Sequence, residues 1–318
     1  MTDRPDVAGA DQLPVGYVVR PLTDDDAVAV SKLIAACELH DLGEVQIELE
    51  DIVAEWQRPT FDLTSESIAV HDPQRRLVGY AEVYRARRAE AYVHPQARGR
   101  GIGSALLGWT HRLVRERGGN LVGQSLPEKC RDGVALLRAR GYKQLWTSWI
   151  LELPAGAEIA DAELAEGTTI RALRPGRDEQ AAYQTIEDAF REWPDRDPVT
   201  YEDSAAGVLR RPGFEPWQLL LAVEQHGSAA ERVVGACFVS PSGDTGWVQQ
   251  LAVRRDRRGR GLARALLLRA FAETRARGAT RAELATDSRT GALGAYQRLG
   301  MQVKETYVHW ARELDPDD

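Results

Sequence analysis

The chain has 318 residues, which is more than one ordinary domain requires and enough for two. It is 43% hydrophobic and 28% charged with a formal net charge of -7, so it is typical of a globular protein and a poor match for nucleic acid or an anionic membrane. No apolar run approaches the roughly 20 residues of a membrane helix, and the opening MTDRPDVAGADQLP lacks the apolar core of a secretory signal.

The first half of the chain predicts a domain of strands and helices. Residues 17–23 and 77–84 form β-type runs, and an acidic-to-apolar helical segment follows the first of them. A further β-type run ends at Val93 and leads through Arg98–Gly103 (RGRGIG) into a strong helical pattern. After another strand and a short helix, a β-rich run over 146–153 closes this half.

The second half repeats this order of elements. It has β-type runs over 168–174 and 233–239, and a run ending at Val253 leads through Arg258–Ala263 (RGRGLA) into a helix. A β-rich run over 303–310 closes it. The repeat is far too long for a solenoid, so it predicts two domains of one kind.

The predicted domains are an N-terminal one over 1–153 and a C-terminal one over 168–318. The segment between them, 154–167, is rich in Ala and Glu and contains Pro and Gly, which indicates a linker. A short helix there is the alternative.

The cysteines and histidines argue against a metal or disulfide protein. Cys37, Cys130 and Cys237 are widely spaced and odd in number, and they form no paired motif. None of the six histidines lies in a cluster with metal-ligand spacing. We therefore expect free thiols, a cytoplasmic location and no metal.

The two Arg-Gly-Arg-Gly motifs predict anion sites. A strand that runs into a glycine turn and then a helix directs several backbone N–H groups and the positive end of the helix dipole at one spot. Glycine lets a ligand approach where a Cβ would block it, and a diphosphate fits such a spot. The alternative is a surface turn with solvated arginines. Neither GxGxxG nor GxxxxGK[ST] is present, which disfavours Rossmann and P-loop folds.

In this context the two motifs resemble the (Arg/Gln)-x-x-Gly-x-(Gly/Ala) signature of the Gcn5-related N-acetyltransferase (GNAT) family, and the arrangement resembles its tandem, mycothiol synthase-like members. The resemblance implies an α/β fold with two domains, each a mixed, mostly antiparallel central sheet flanked by helices, and it implies acetyl-CoA as co-substrate. It places the acetyl-CoA contacts at Val253, Arg258, Gly259, Arg260, Gly261, Leu262, Ala263 and Ser288 in the second half, and at Val93, Arg98, Gly99, Arg100, Gly101, Ile102 and Gly103 in the first.

The resemblance also predicts which half of the chain catalyses the reaction. A tyrosine late in the domain usually protonates the departing CoA thiolate in this family, and that position is Tyr296 in the second half but Leu137 in the first. The resemblance therefore implies a catalytic second half and a degenerate first half. Backbone N–H groups from Leu251 to Val253 would stabilise the oxyanion.

The identity of the general base is left open in the second half. Gln249 and Gln250 stand where some relatives carry a glutamate, and neither can accept a proton as a base. Ordered water, with Glu283 or Asp287 as relays, is the expectation there. In the first half the corresponding residue is Glu90.

The acceptor implied is a primary amine of a small molecule. Acids and aromatics between the first two strands of the second half would attract a cationic amine: Glu187, Asp188, Glu192, Trp193, Asp195, Asp197, Tyr201 and Glu202. A solvated acidic surface is the alternative for that segment. Two alternative functions are a non-catalytic acyl-CoA-binding protein and a protein or peptide N-acetyltransferase. Nucleic-acid or membrane partners are not expected, and the chain is expected to be a monomer or homodimer.

Overall fold

The structure is a computed structural model, and it describes residues 13–58, 60–193, 198–211, 213–225 and 230–315. The chain divides into two compact units, one formed by Met1–Ser148 with Glu305–Asp318 and one by Trp149–Lys304. Each unit has helices on both faces of a mostly antiparallel sheet, which confirms the predicted fold class. No helix in the described residues combines the length and the apolar character needed to cross a membrane.

The sheet of the first unit contains the chain's final strand. Its strands are β1 (Val18–Arg20), β2 (Ser67–His71), β3 (Leu77–Tyr84), β4 (Arg88–Val93), β5 (Leu121–Pro127) and the end of β12 (Gln302–Glu313). Its helices are α1 (Ala27–Asp41), α2 (Leu49–Trp56), α3 (Leu63–Glu66), α4 (Ile102–Glu116) and α5 (Arg131–Ala139). The strand order is β1-β2-β3-β4-β5-β12, and all pairs are antiparallel except β4–β5.

The second unit repeats the pattern. One of its strands is the end of β6 (Lys143–Leu153), which begins in the first unit. The other strands are β7 (Thr168–Ala172), β8 (Leu219–Glu224), β9 (Arg232–Ser242), β10 (Thr245–Val253) and β11 (Arg281–Asp287). The helices are α6 (Glu179–Phe190), α7 (Tyr201–Gly207), α8 (Leu262–Arg275) and α9 (Leu293–Gln297). The order is β6-β11-β10-β9-β8-β7, with β10–β11 a parallel pair.

Alternation along the strands explains why helices cover both faces. In β2, Ile68 and Val70 pack in one cluster with α4, whereas Ala69 between them packs with α1 and α2. In β8, Leu220 belongs to the cluster of α8, and Leu221 belongs to that of α6. Successive side chains of a strand point to opposite faces, so apolar residues at every position bury both.

The compact units differ from the predicted domains at the chain's end. Residues Tyr307–Glu313 of β12 pair with β5, which brings this strand into the first unit. Residues 154–167, all of which the structure describes, hold neither helix nor strand, and Ile159 and Leu164 pack against the core of the second unit. The bounds 1–153 and 168–318 remain a prediction for independently folding domains.

Candidate active site

Two parallel strands of the second unit separate at the predicted site. The register of β10 with β11 runs from Thr245 to Val248 and stops there, although β10 stays paired with β9 as far as Val253. A β-bulge at Gln249 marks the change, and bulges bend a strand and re-aim its side chains. The β11-facing side of β10 from Gln249 to Val253 therefore has no strand partner in the described part of the chain, and its backbone polar groups can meet a ligand.

The same opening occurs in the first unit. There β4 and β5 share a single register pair, Arg88 with Gly123, before they diverge. The end of β4, up to Val93, is again paired only on the side of β3 among the described residues. Both halves thus place a gap in the sheet next to the strand that leads into the Arg-Gly-Arg-Gly motif.

The glycine loops, defined as residues 98–103 and 258–263, have the backbone that the motif predicts. Gly101 and Gly261 adopt φ of 84° and 77° and stand directly before α4 and α8, with no side chain capping either helix. A Cβ on Gly261 would meet no protein atom within 4 Å. The open space and the uncapped N–H groups of the first helical turn suit a diphosphate.

The first arginine of each loop is engaged within the protein. Arg258 donates from Nε to the Val253 carbonyl at 3.1 Å and makes two bonds, of 2.7 and 3.1 Å, to the Glu192 carboxylate. Arg98 donates likewise to Val93 and to Asp41. Arg98 ties the end of its strand to the last residue of α1, and Arg258 ties its strand to the turn after α6. A direct contact of these arginines with acetyl-CoA stays a prediction.

The second arginine of each loop is exposed. Arg260 lies open on the loop surface, and Arg100 is exposed with one bond of 3.3 Å to the Tyr17 hydroxyl. Such a side chain can turn towards an anion with little rearrangement. Ser288 is also exposed, in the turn after β11.

The structure brings the predicted catalytic residues of the second unit together. Val253 belongs to the core cluster against which Leu251 and Tyr296 pack. Burial and the nearby Cys237 thiol raise the pKa of the Tyr296 phenol, so it stays protonated at neutral pH. Cys237 lies opposite Leu251 in the sheet, so the residue that influences the Tyr296 phenol is the strand partner of the predicted oxyanion segment.

The two carboxylates expected to relay protons are held in ion pairs. Glu283 accepts a bond of 2.9 Å from the Lys304 ammonium, and Asp287 accepts one of 2.6 Å from the Arg289 guanidinium. Asp287 also accepts from the backbone of the turn that follows β11. Both carboxylates therefore have partners within the protein, and their role as proton relays stays a prediction.

A cavity of about 230 Å³ lies where the acceptor was expected in the second unit. Its lining includes Tyr183, Glu187, Asp203, Arg211 and Gln250. The Oε1 atom of Gln250 is buried without a hydrogen-bond donor, and Glu187 is 2% exposed and accepts from Arg191 at 3.2 Å. A small polar molecule could supply the missing donor.

The other residues predicted to bind the acceptor do not all lie at this cavity. Glu192 pairs with Arg258, and Trp193 packs edge-on against Phe190. Tyr201 packs in the same way against Tyr183 of the cavity. Asp195 and Asp197 lie outside the described residues.

A larger cavity, of about 630 Å³, lies in the first unit. It extends from the first glycine loop along the open end of β4 and reaches Glu90, Leu137 and Tyr307. Leu137 is 2% exposed, and its hydrocarbon side chain cannot donate a proton. Tyr307, a phenol on the chain's last strand, is a functional candidate that sequence reasoning missed, because no local pattern links it to β4.

Comparisons with known sequences agree with this geometry. Residues 180–301 match the model of the acetyltransferase (GNAT) family. The chain is 31% identical over 282 residues to the mycothiol acetyltransferase of Saccharopolyspora erythraea, which covers 78% of this chain and 86% of the relative. It is 34% identical to the mycothiol acetyltransferase of Thermobispora bispora, over 66% and 71% of the two chains.

Solved structures show the same arrangement. The GCN5-related N-acetyltransferase from Sphaerobacter thermophilus is 32% identical and superposes with a TM-score of 0.81 over 96% of this chain and 98% of that one. A tandem GNAT protein from the clavulanic acid biosynthesis pathway, 18% identical, shares the fold with a TM-score of 0.73 over 95% and 100% of the chains. The chain therefore is an acetyltransferase and belongs to the GNAT family.

Proposed function

We propose that the second unit transfers the acetyl group of acetyl-CoA to the primary amine of a small molecule. The proposal is supported chiefly by Tyr296, a phenol of raised pKa that packs against the same core cluster as Leu251, on the strand that leads into the second glycine loop. Acetyl-CoA supplies the activated thioester. The open space above Gly261 and the uncapped start of α8 fit its diphosphate.

The residues of this unit have separate roles in the reaction. The loop from Gly259 to Ala263 holds the diphosphate, and the backbone of Leu251 to Val253 donates to the carbonyl oxygen as negative charge develops there. The amine attacks the carbonyl carbon directly, and Tyr296 gives its proton to sulfur as the C–S bond breaks. Water carries away the proton of the amine, because Gln249 and Gln250 cannot accept it.

A small acceptor is favoured over a protein or peptide. The cavity beside Gln250 has a volume of about 230 Å³ and a polar lining that includes Glu187, Asp203 and Arg211, which suits a small polar amine. The named relatives are mycothiol acetyltransferases, so a mycothiol-related amine is the first compound to test. The three cysteines are buried free thiols, which supports our proposal of a reducing, cytoplasmic setting.

The test is an amine screen with the full chain. We expect CoA release from acetyl-CoA, detected with a thiol reagent, to depend on a small primary amine, and we expect mass spectrometry to find that amine acetylated. Peptides with free N-termini serve as the competing class of acceptor. Binding of acetyl-CoA by calorimetry without release for any amine or peptide would favour the alternative, a non-catalytic acyl-CoA-binding protein, for which the glutamines at 249 and 250 are the best support.

A further inference from the structure

We propose that the first unit contains a second acyl-transfer site, in which Glu90 is the base, Tyr307 is the acid and the acceptor is a cationic amine. This proposal uses the acetyl-CoA chemistry of the family and does not depend on the role of Tyr296. It reverses the expectation that the first half is degenerate.

The first observation is a single cavity that contains every group the reaction needs. Its volume of about 630 Å³ is within the range of ligand sites. Gly99 and Gly101 of the glycine loop line one part of it, Glu90 and Val93 of the open strand β4 line another, and Tyr307 lines a third. A thioester that enters through the gap between β4 and β5 would meet both Glu90 and Tyr307.

Glu90 differs chemically from its counterpart in the second unit. Glu90 lies three positions before Val93, as Gln250 lies three positions before Val253, so the two occupy the same place on equivalent strands. The Glu90 carboxylate can accept a proton, and the Gln250 amide cannot. Its Oε1 atom accepts a bond of 2.7 Å from Arg88, and the side chain stays 31% exposed, which leaves room for a water or an amine.

Tyr307 enters the cavity through the pairing of distant strands. It lies opposite Pro127, at the end of β5 that borders the gap. Its hydroxyl donates to the Gln46 side chain at 3.3 Å, a long bond that a better acceptor can replace. Burial, together with the negative charge of Glu38, raises the pKa of Tyr307 to about 12, so the phenol is fully protonated at neutral pH. Tyr307 thus supplies the proton donor that Leu137 cannot.

The charge of the cavity selects the acceptor class. Arg98 is neutralised by Asp41 and Glu90 pairs with Arg88, and the other charged groups of the lining are the carboxylates Glu38 and Asp132. Glu38 is held in place by the backbone N–H groups of Gln46 and Ile47, at 2.7 and 2.9 Å. A site with this surplus of negative charge attracts a cationic amine and repels an anionic one.

The proposed step balances without a further reactant. The ammonium of the acceptor loses one proton to Glu90, directly or through a water, and the free amine forms a C–N bond with the carbonyl carbon. The second N–H proton also leaves through Glu90 to solvent. As the C–S bond breaks, sulfur takes its electron pair and a proton from Tyr307, which recovers a proton from solvent. The products are an amide and CoA.

The experiment isolates the first site by disabling the second. CoA release from acetyl-CoA is measured for the full chain with three probes: 1,4-diaminobutane, glucosamine and benzylamine. We expect Tyr296→Phe to retain release with 1,4-diaminobutane, and we expect Tyr307→Phe or Glu90→Gln in that background to lower kcat for this release by about a hundredfold. Acetyl-CoA should bind with two sites per chain by calorimetry in all variants.

Two matched controls separate chemistry from folding. Glu50→Gln removes an exposed carboxylate on α2, and Tyr142→Phe removes a buried phenol that bonds His111 and lines neither cavity. Neither should change the release that remains in the Tyr296→Phe background. If Tyr307→Phe fails to fold, as judged by circular dichroism, Glu90→Gln alone carries the test.

The possible results distinguish this inference from the proposed function. Two results overturn the inference and leave the proposed function standing. One is complete loss of CoA release in Tyr296→Phe. The other is residual release that neither Tyr307→Phe nor Glu90→Gln lowers. Release that is insensitive to Tyr296→Phe but lost in Tyr307→Phe supports the inference and overturns the assignment of chemistry to the second unit. No release by the unaltered chain with any of the three probes overturns the inference, whereas the proposed function is overturned only by failure of its own amine screen.

Discussion

Arg98 and Asp41 form a two-bond ion pair, with distances of 2.8 and 2.7 Å, that locks the first glycine loop to the end of α1. The second unit repeats the contact with Arg258 and Glu192. The two pairs differ in burial, since the side chains of the first are 18% and 12% exposed and those of the second are 43% and 36% exposed. Because of this difference, we expect the ion pair of the first unit to contribute more to stability than the ion pair of the second.

We expect Asp41→Asn to lower the free energy of unfolding by about 1 to 3 kcal/mol, because it leaves a partly buried guanidinium without its countercharge. The matched change Glu192→Gln should cost less than about 1 kcal/mol, as for exposed ion pairs. Urea denaturation of both variants measures the difference. Equal losses would mean that burial does not govern the strength of these contacts.

The acid role of Tyr296 predicts a selective loss of turnover. Tyr296→Phe should lower kcat in the second unit by about a hundredfold or more, since general-acid catalysis contributes on that scale. The affinity for acetyl-CoA should change little, because the loss arises in the transition state. Steady-state CoA release and calorimetry measure the two quantities. A fully active variant whose accepted amines are unchanged would move the acid role to water or to the first unit.

The glycine loop of the second unit predicts a binding defect that backbone strain alone does not produce. Gly261→Ala places a Cβ at φ of 77°, which costs about 1 to 2 kcal/mol of stability, and it crowds the space for the diphosphate. We expect the KM for acetyl-CoA to rise. Gly278→Ala is the control, because it has φ of 100° and equally open surroundings just beyond α8. It should lose stability with KM unchanged, and a similar KM for both variants would argue against the anion site.

Glu82 of β3 predicts a pH-dependent stability. Burial raises its pKa to about 7 from the usual 4.5, Glu90 and Glu55 add to the rise, and the Tyr80 hydroxyl, which donates to the carboxylate, opposes it. The folded state therefore holds this proton more tightly than the unfolded state. The resulting stabilisation is present below pH 4.5 and is lost as the pH rises through 7.

Glu82→Gln stays neutral at every pH and can still accept from Tyr80. Relative to this variant, the unaltered protein should lose up to about 3 kcal/mol of unfolding free energy between pH 4.5 and pH 8, at 1.36 kcal/mol for each pKa unit. Denaturation at several pH values tests this, with Glu50→Gln on the exposed face of α2 as control. Parallel curves for the two proteins would show that Glu82 is ionised in the folded state throughout.

The sequence alone determined the local geometry of both halves. A positive φ at Gly101 and Gly261 requires glycine, and an apolar stripe with helical spacing follows each one, so strand, turn and helix could be predicted from neighbours along the chain. The resemblance to the family assigned the acid position to Tyr296, and that role stays a prediction. The strand, turn and helix around each glycine are short-range features, and they agree with the structure.

The tertiary structure decided which distant groups meet those local elements. The pairing of Arg258 with Glu192 and of Arg98 with Asp41 depends on how a helix packs on the sheet, which no spacing along the chain reveals. Tyr307 reaches the cavity of the first unit only because β12 pairs with β5, more than half the chain away. A strand joins whichever sheet edge lets it satisfy its backbone hydrogen bonds and bury its apolar side chains, and that choice is made by the assembled fold.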